Sequence, residues 1–168
     1  TKGAEVIVAV VDTGVDYNHE DLKDVMWTNP NEIAGNNIDD DGNGYVDDVH
    51  GINTLSRDSN GSATGDMKDT HSHGTHVSGI IGAKQNNNVG IAGVASNVRI
   101  MGIRTVPNNG DELDVDVIES FLYAAKNGAK IINCSFGKAH NEGGMAVSET
   151  IKHIGEKYGV LVIAAAGN

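Results

Sequence analysis

Three polar residues of this 168-residue chain have types and positions that suit catalysis. Asp12 ends the apolar run VIVAVV, His73 opens HGTH, and Asn168 follows the apolar run VLVIAAA. Carboxylate and imidazole groups can transfer protons, and a side-chain amide can donate a hydrogen bond. Whether these three groups act together depends on the fold that positions them.

Each residue also has a simpler interpretation. His71, His73 and His76 lie within six residues, which suggests a zinc site, but no acidic third ligand is adjacent to the His73/His76 pair. We expect His76 to be a packing or hydrogen-bonding residue. Asp-Thr-Gly is a common turn, and an asparagine in the position of Asn168 is more often a turn residue.

The secondary structure must bring these residues together. Four apolar runs without polar alternation predict strands covered on both faces: EVIVAVV, VRIMGIR, KIINCS and VLVIAAA. Helical patterns lie between them: HGTHVSGIIGAK, with Ser72 as its cap; DVDVIESFLYAAKNG, starting at Asp114 or Asp116 and ending at Gly128; and AVSETIKHIGEKYG, ending at Gly159.

This alternation predicts an α/β fold in which a parallel sheet carries helices on both faces. We expect a single domain over residues 1–168, with residues 28–70 forming a long irregular segment that is functional or ion-bound. Ligands of such sheets bind beyond the carboxyl ends of the strands. Asp12, Ser135 and Asn168 each follow a predicted strand, and His73 begins a helix, so we expect all four along one rim.

An acidic stretch within the irregular segment, NIDDDGNGYVDDVHG, has the composition of a cation site. Oxygen ligands of this kind suit calcium. The predicted ligands are Asp39, Asp41, Asn43, Tyr45 through its backbone carbonyl, and Asp48. His50 stands where an EF-hand has its glutamate, so the loop is not an EF-hand. A solvated acidic loop without an ion is the alternative.

Four segments resemble, in order, the signature segments of the subtilisin-like serine proteases: VVDTGVDYNHEDL, HSHGTHVSGIIGA, NCSFG and VIAAAGN. The resemblance extends from residue 2 to residue 168. It implies that Asp12 is the triad carboxylate and His73 the general base. It also implies that Asn168 donates to the oxyanion, and that the segment formed by Ser135, Phe136 and Gly137 pairs with an extended peptide substrate. The segment RTVPNNGD, with Phe136, is expected to line the substrate cleft.

The resemblance also implies a second calcium site of structural purpose. KQNNNVGIAG is similar to the family's calcium loop, which interrupts the helix after the histidine. The implied ligands are the side chains of Asp21 and Asn87 and the backbone oxygens of Gln85, Val89 and Ile91.

The family's nucleophile is absent from these residues, because no serine of the chain follows Gly-Thr. Three explanations remain open: a second chain carrying the serine, a trimmed fragment, or a natural pseudoenzyme. We expect this chain alone to lack hydrolase activity. Two other function classes are considered: a non-catalytic, calcium-dependent peptide-binding domain, and a flavodoxin-like domain, which Asp12 disfavours because it would repel phosphate.

Composition limits the partners. The net charge of −11 argues against a nucleic-acid partner, and no run reaches the length of a membrane span. The single cysteine, Cys134, excludes an internal disulfide. A polypeptide substrate and a secreted or cell-surface location, with the signal segment outside this chain, are what the resemblance implies.

Overall fold

The computed structural model describes residues 5–138 and 144–167. Its elements, in chain order, are β1 (Val6–Asp12), β2 (Gly51–Arg57), β3 (Ala63–Thr64), α1 (His73–Gly82), β4 (Val98–Arg104), α2 (Asp114–Lys126), β5 (Ile131–Cys134), α3 (Ala146–Tyr158) and β6 (Leu161–Ala164). The four predicted strands and the three predicted helices all form.

The strands make one sheet in the order β3-β2-β4-β1-β5-β6. Neighbouring strands are parallel except β2 and β3, which pair antiparallel. The first strand lies centrally, with Asp12 in register with Arg104 of β4. The prediction of a parallel α/β sheet is confirmed.

Helices cover both faces of this sheet, as predicted. Because successive strand residues point to opposite faces, β1 contributes Val8 and Val10 to the apolar cluster that contains α1 residues. It contributes Ala9 and Val11 to the cluster that contains residues of α2 and α3, such as Phe121. The sheet therefore lies between two apolar layers, with its carboxyl edge free for a site.

The prediction of irregular structure throughout residues 28–70 is wrong at β2 and β3. The sequence of β2, GINTLSR, is too polar to be recognised as a buried strand, and only Gly51, Ile52 and Asn53 pair with β4. Gly51 has a φ of 139°, and a Cβ there would overlap the carbonyl of Gly102. The pairing of β2 therefore depends on Gly51 fitting against Gly102 of β4, which is distant from it in the chain.

The expectation that the last strand is covered on both faces is also wrong. In β6, Leu161 is 58% exposed and Ile163 is 46% exposed. The strand lies at the end of the sheet and pairs with β5 alone among the strands of residues 5–138 and 144–167. Its apolar composition therefore does not correspond to burial in this chain.

One predicted helix cap is wrong, and the helix ends are otherwise as expected. Ser72 precedes α1 with a φ of 89°, and its side chain makes no capping hydrogen bond. Helix α2 begins at Asp114, and Gly159, with a φ of 67°, follows α3 in the left-handed conformation. Within the described part of the chain, the helices are too short or too polar to cross a membrane.

Candidate active site

Asp12 and His73 meet at the carboxyl edge of the sheet. The Nδ1 atom of His73 lies 2.7 Å from Oδ1 of Asp12, although 61 positions separate the residues. The side chain of Asp12 is 1% exposed, whereas that of His73 is 46% exposed. Asp12 Oδ1 also accepts the amide of Thr13 at 2.7 Å. This is a buried carboxylate that orients an accessible imidazole.

The close approach of β1 and α1 makes this contact possible. Gly74 follows His73, and a Cβ at Gly74 would lie 2.1 Å from the carbonyl oxygen of Gly14 and 3.1 Å from Cβ of Asp12. Only a residue without a side chain leaves the first turn of α1 this near the end of β1. The glycine of HGTH therefore serves the approach of two backbones.

Asp69 holds the same two segments and was not identified from the sequence. Its carboxylate accepts hydrogen bonds from the hydroxyl groups of Thr13 and Thr75 and from the amides of His71, Ser72 and Thr75. Burial alone would raise the pKa of Asp69, but these hydrogen bonds, led by that of Thr75, outweigh burial and lower the pKa. The available signal was an acidic residue four positions before His73.

Arg104 is a second residue that the sequence analysis missed. Its guanidinium donates to the carbonyl oxygen of Thr13 at 2.6 Å and to the hydroxyl of Thr70 at 3.0 Å. The same group reaches Asn108 Oδ1 at 3.1 Å. Arg104 therefore connects the end of β4 to the loops before and after it at this edge. Its position as the last residue of a predicted strand was the signal.

The segment assigned to substrate binding follows β5 at the same edge. The side-chain amide of Asn133 donates to the hydroxyl of Ser135 at 2.9 Å. Phe136 is half-buried against the core on the α2 side, and Gly137 is exposed. Asn168, the expected oxyanion donor, lies outside the described residues.

Cys134, the last residue of β5, is buried next to this edge. Burial, with the nearby charges of Asp12 and Glu112, raises the pKa of its thiol to about 12. The thiol is therefore uncharged at neutral pH and is no competitor to an external nucleophile.

The three histidines near α1 do not form a metal cluster in the part of the chain that the structure describes. The rings of His71 and His73 are edge to face, with centroids 6.4 Å apart. His76 lines a cavity of about 700 Å³ that also contacts Asp69, Ser72 and Asp21. Asp12 and His73 are not among the residues lining this cavity.

The acidic loop brings together several of its predicted ligands. Carboxylate oxygens of Asp39, Asp41 and Glu32 all lie within 4.8 Å of one another. The amide of Asn43 donates to Asp41 at 3.1 Å and to Asp48 at 2.9 Å, so these four predicted residues form one cluster. Tyr45 lies beside them, and its hydroxyl donates to Glu119 on α2.

Glu32 belongs to this cluster but was missed, because it precedes the calcium-like spacing by seven positions. Its Oε2 atom is buried and has no hydrogen-bond partner among the described residues. Burial, with Asp48 and Asp41 nearby, raises the pKa of Glu32 to about 7. An unpartnered buried carboxylate oxygen among acids is consistent with the donor set of a hard cation.

Asp48 is held from outside the acidic stretch. It is fully buried, and the hydroxyl of Tyr123 on α2 donates to its Oδ2 atom at 2.7 Å. The amide of Asn29 donates to Oδ1 of Asp48 at 3.0 Å and to Asp41 at 2.9 Å. The loop is thus fixed against α2 by neutral donors.

The second predicted calcium loop also surrounds a buried aspartate. Asn87 donates its side-chain amide to Oδ1 of Asp21 at 2.7 Å, and the amide of Ile91 donates to Oδ2 at 2.9 Å. Both hydrogen bonds lower the pKa of Asp21, and the one from Asn87 has the larger effect. The amide of Val89 bonds the side chain of Asn87, and the Gln85 side chain donates to the carbonyl of Gly93.

Comparisons with known proteins identify the family of this chain. The sequence model of the subtilase family of peptidases matches residues 3–168. The chain is 35% identical over 162 residues to subtilisin-like protease 1 of Plasmodium berghei, which covers 96% of this chain and 26% of that protein. It is 30% identical over 167 residues to thermitase of Thermoactinomyces vulgaris, covering 99% of this chain and 49% of thermitase.

Solved structures give the same result. The S41 psychrophilic protease superposes with a TM-score of 0.74 at 25% identity, covering 99% of this chain and 47% of that protease. Sphericase superposes with a TM-score of 0.75 at 25% identity, covering 99% and 47%. This chain spans about half or less of the length of these relatives. The chain belongs to the subtilase family.

Proposed function

We propose that this chain is the aspartate- and histidine-bearing part of a serine endopeptidase catalytic domain. The observation that carries the proposal is the 2.7 Å contact between buried Asp12 and accessible His73. It is supported by the family match over residues 3–168. In this proposal the nucleophilic serine, which is not among residues 1–168, is supplied by further polypeptide, in the same chain or in a second one.

The proposed chemistry follows from the two side chains. Asp12 accepts Nδ1–H of His73, which leaves Nε2 without a proton and able to take one from a serine hydroxyl. The imidazole then becomes positively charged. The buried carboxylate stabilises that charge because few waters surround it to screen the attraction.

The proposed substrate is a polypeptide in extended form. Ser135, Phe136 and Gly137 would pair with its backbone, and Asn168 would donate to the oxyanion, as the family resemblance implies. The exposure of Gly137 and the partial exposure of Ser135 and Phe136 support the first assignment. A secreted or cell-surface location rests on the same resemblance.

Labelling with a fluorophosphonate, which reacts with activated serines, tests this proposal. We expect no label on the chain alone. We expect label on the serine when the serine-bearing half of a subtilase is supplied, either fused after residue 168 or as a separate chain. The His73→Ala variant should lose that label. Peptide affinity without an acyl-enzyme in the restored protein would select a peptide-binding pseudoprotease instead.

We further propose that calcium binds the acidic loop. Asp39, Asp41, Asp48 and Glu32 would supply carboxylate oxygens, with the Asn43 side chain and the Tyr45 carbonyl completing the set. The buried, unpartnered Oε2 of Glu32 supports this assignment. Calcium would neutralise acids that otherwise repel one another.

A second proposed calcium site is the loop around Asp21. Asn87 and the backbone oxygens of Gln85, Val89 and Ile91 would be its other ligands. The support for this assignment is the position of Asp21, whose buried carboxylate lies inside the loop and accepts hydrogen bonds from Asn87 and Ile91. A Cβ at Gly90 would lie 2.3 Å from Oδ2 of Asp21, so the loop closes tightly on the carboxylate.

Thermal unfolding in calcium and in chelator tests both sites. Calcium at about 100 times its Kd stabilises a folded protein by about 2.7 kcal/mol per site. We expect the calcium-dependent rise in Tm to be smaller in Asp41→Asn, which removes a ligand of the acidic loop, and in Asp21→Asn, which removes a ligand of the second site. Asp111→Asn, an exposed carboxylate outside both clusters, is the control. A Tm that is unmoved by calcium in the unsubstituted chain would refute both sites.

A further inference from the structure

We propose that Asp69 is the positioning residue of the Asp12–His73 pair, holding the distance between them and the tautomer of the imidazole. This inference rests on the proposed function of the pair, and it adds a residue outside the three-residue triad. Among the described residues, Asp69 makes no hydrogen bond to the side chain of Asp12 or of His73. It acts through the segments on either side of them.

The carboxylate of Asp69 is saturated by five donors. Oδ1 accepts the hydroxyl of Thr13 at 3.0 Å and the amides of His71 and Ser72 at 2.8 Å and 3.0 Å; Oδ2 accepts the amide and the hydroxyl of Thr75 at 3.0 Å and 2.6 Å. A neutral side chain could not accept all five, because an amide oxygen replaces only one of the two carboxylate oxygens.

Two hydroxyl groups extend this network across the site. Thr13 directly follows Asp12, and its hydroxyl, having donated to Asp69, accepts the amide of Gly74 at 2.9 Å. Thr75 makes the same two bonds from the side of the helix: its hydroxyl donates to Asp69 and accepts the amide of Asp16, in the loop after β1, at 2.9 Å. The loop after β1 and the first turn of α1 are therefore joined directly by two hydrogen bonds, and the hydroxyl group that accepts in each of them donates its own proton to Asp69.

The backbone immediately before His73 gives this network a mechanical purpose. Ser72 has a φ of 89°, a left-handed conformation that non-glycine residues seldom adopt, and such strain persists only where the surroundings fix it. The amide of Ser72 donates to Asp69. Asp69 therefore stabilises the bend that directs His73 toward Asp12.

Helix α1 favours the charge of Asp69. The carboxylate accepts the amide of Thr75, in the first turn of this ten-residue helix, where the helix dipole attracts an anion. The hydrogen bonds to Asp69 also favour its charged form, because they lower the pKa of the carboxyl group. The group is thus ionised and able to accept all five bonds at neutral pH.

Nitrogen-15 NMR of the histidine rings in the 168-residue chain tests the proposal. His73 signals are assigned by their absence in His73→Gln. In the unsubstituted chain we expect the Nδ1–H tautomer and slow exchange of that proton with water. In Asp69→Asn and Thr13→Val we expect a mixture of tautomers and exchange about tenfold faster. Thr13→Ser keeps the hydroxyl and should restore the original signals.

The outcomes separate this inference from the proposed function. Unchanged tautomer and exchange in folded Thr13→Val and Asp69→Asn would overturn the positioning role while leaving the pair intact. Absence of the Nδ1–H tautomer in the unsubstituted chain would contradict the pair itself. Circular dichroism monitors folding. If Asp69→Asn fails to fold, unchanged His73 signals in Thr13→Val still overturn the positioning role, because that variant removes the hydrogen bond to Asp69 while nearly keeping the shape of the side chain.

Discussion

Two serines of the core have buried hydroxyl groups that differ in their hydrogen bonding. Ser78 on α1 and Ser120 on α2 are both fully buried. The hydroxyl of Ser78 has no hydrogen-bond partner among the described residues. That of Ser120 contacts the Thr105 hydroxyl at 2.5 Å and donates to the carbonyl of Asp116 at 2.7 Å. An unpartnered buried hydroxyl destabilises a fold, whereas a bonded one contributes to it.

We therefore expect Ser78→Ala to raise the free energy of unfolding by about 1 kcal/mol, because the substitution removes the unpartnered hydroxyl. Ser120→Ala is the matched control, and it should lower the free energy of unfolding by about 1 kcal/mol. Urea unfolding followed by circular dichroism measures both. Equal losses in the two variants would show that Ser78 has a hydrogen bond.

At the scale of the elements, the contact between β1 and α1 depends on the absence of a side chain at Gly74. A methyl group there would overlap the carbonyl of Gly14 and press on Asp12. Gly79, one and a half turns later on the same helix, has Ile91 Cδ1 at 3.5 Å as its nearest neighbour, an ordinary contact. The two glycines allow a direct comparison.

We expect Gly74→Ala to displace α1 from β1, with a loss of stability of about 1–3 kcal/mol from overpacking. The Nδ1–H signal of His73 should weaken with it. Gly79→Ala should be neutral or gain up to about 1 kcal/mol, since alanine favours the helix. Thermal unfolding and NMR of the 168-residue chain provide the measurements. Equal tolerance of both substitutions would contradict the close approach.

The acidic loop predicts an unusual pH dependence in the absence of calcium. Burial with neighbouring acids raises the pKa of Glu32 from 4.5 to about 7 in the folded chain. The folded chain thus holds a proton that the unfolded chain releases near pH 4.5. The stability that this proton contributes is complete below pH 4.5 and is lost as the pH rises through about 7.

In chelator, we expect Glu32→Gln to lack this loss and to be more stable than the unsubstituted chain at pH 8. With calcium at pH 8, the difference in stability between Glu32→Gln and the unsubstituted chain should shrink or change sign, because Glu32 is then a calcium ligand. Urea unfolding between pH 4 and pH 8 measures both effects. Glu156→Gln on the exposed side of α3 is the control. Parallel pH curves for the unsubstituted chain and Glu32→Gln would rule out the effect.

For the whole molecule, the sequence predicts the sheet and the meeting of Asp12 with His73, because apolar runs and strand order determine which residues reach the carboxyl edge. It does not predict β2, whose pairing depends on Gly51 lying against Gly102. It also misses Asp69, Arg104 and Glu32, whose roles arise from contacts between distant segments. Short-range patterns carry no information about such contacts.

The surface of the molecule is consistent with further polypeptide in relatives that are about two to four times as long. Ile80, Ile91 and Val94 are 47%, 47% and 85% exposed. The amide of Val94 donates to the carbonyl of Ile80, so these two residues are neighbours. Leu161 and Ile163 expose a second apolar area on β6.

Peptide hydrolysis by the restored catalytic domain measures whether Asp12 and His73 work as one catalytic unit. The domain consists of residues 1–168 with the serine-bearing half of a subtilase fused after them. We predict that Asp12→Asn and His73→Ala each lower kcat by about 10⁴ or more, with folding unchanged. The double variant should be no slower than His73→Ala, since the residues act together. Activity within tenfold of the unsubstituted domain in either single variant would show that the pair is not the catalytic unit.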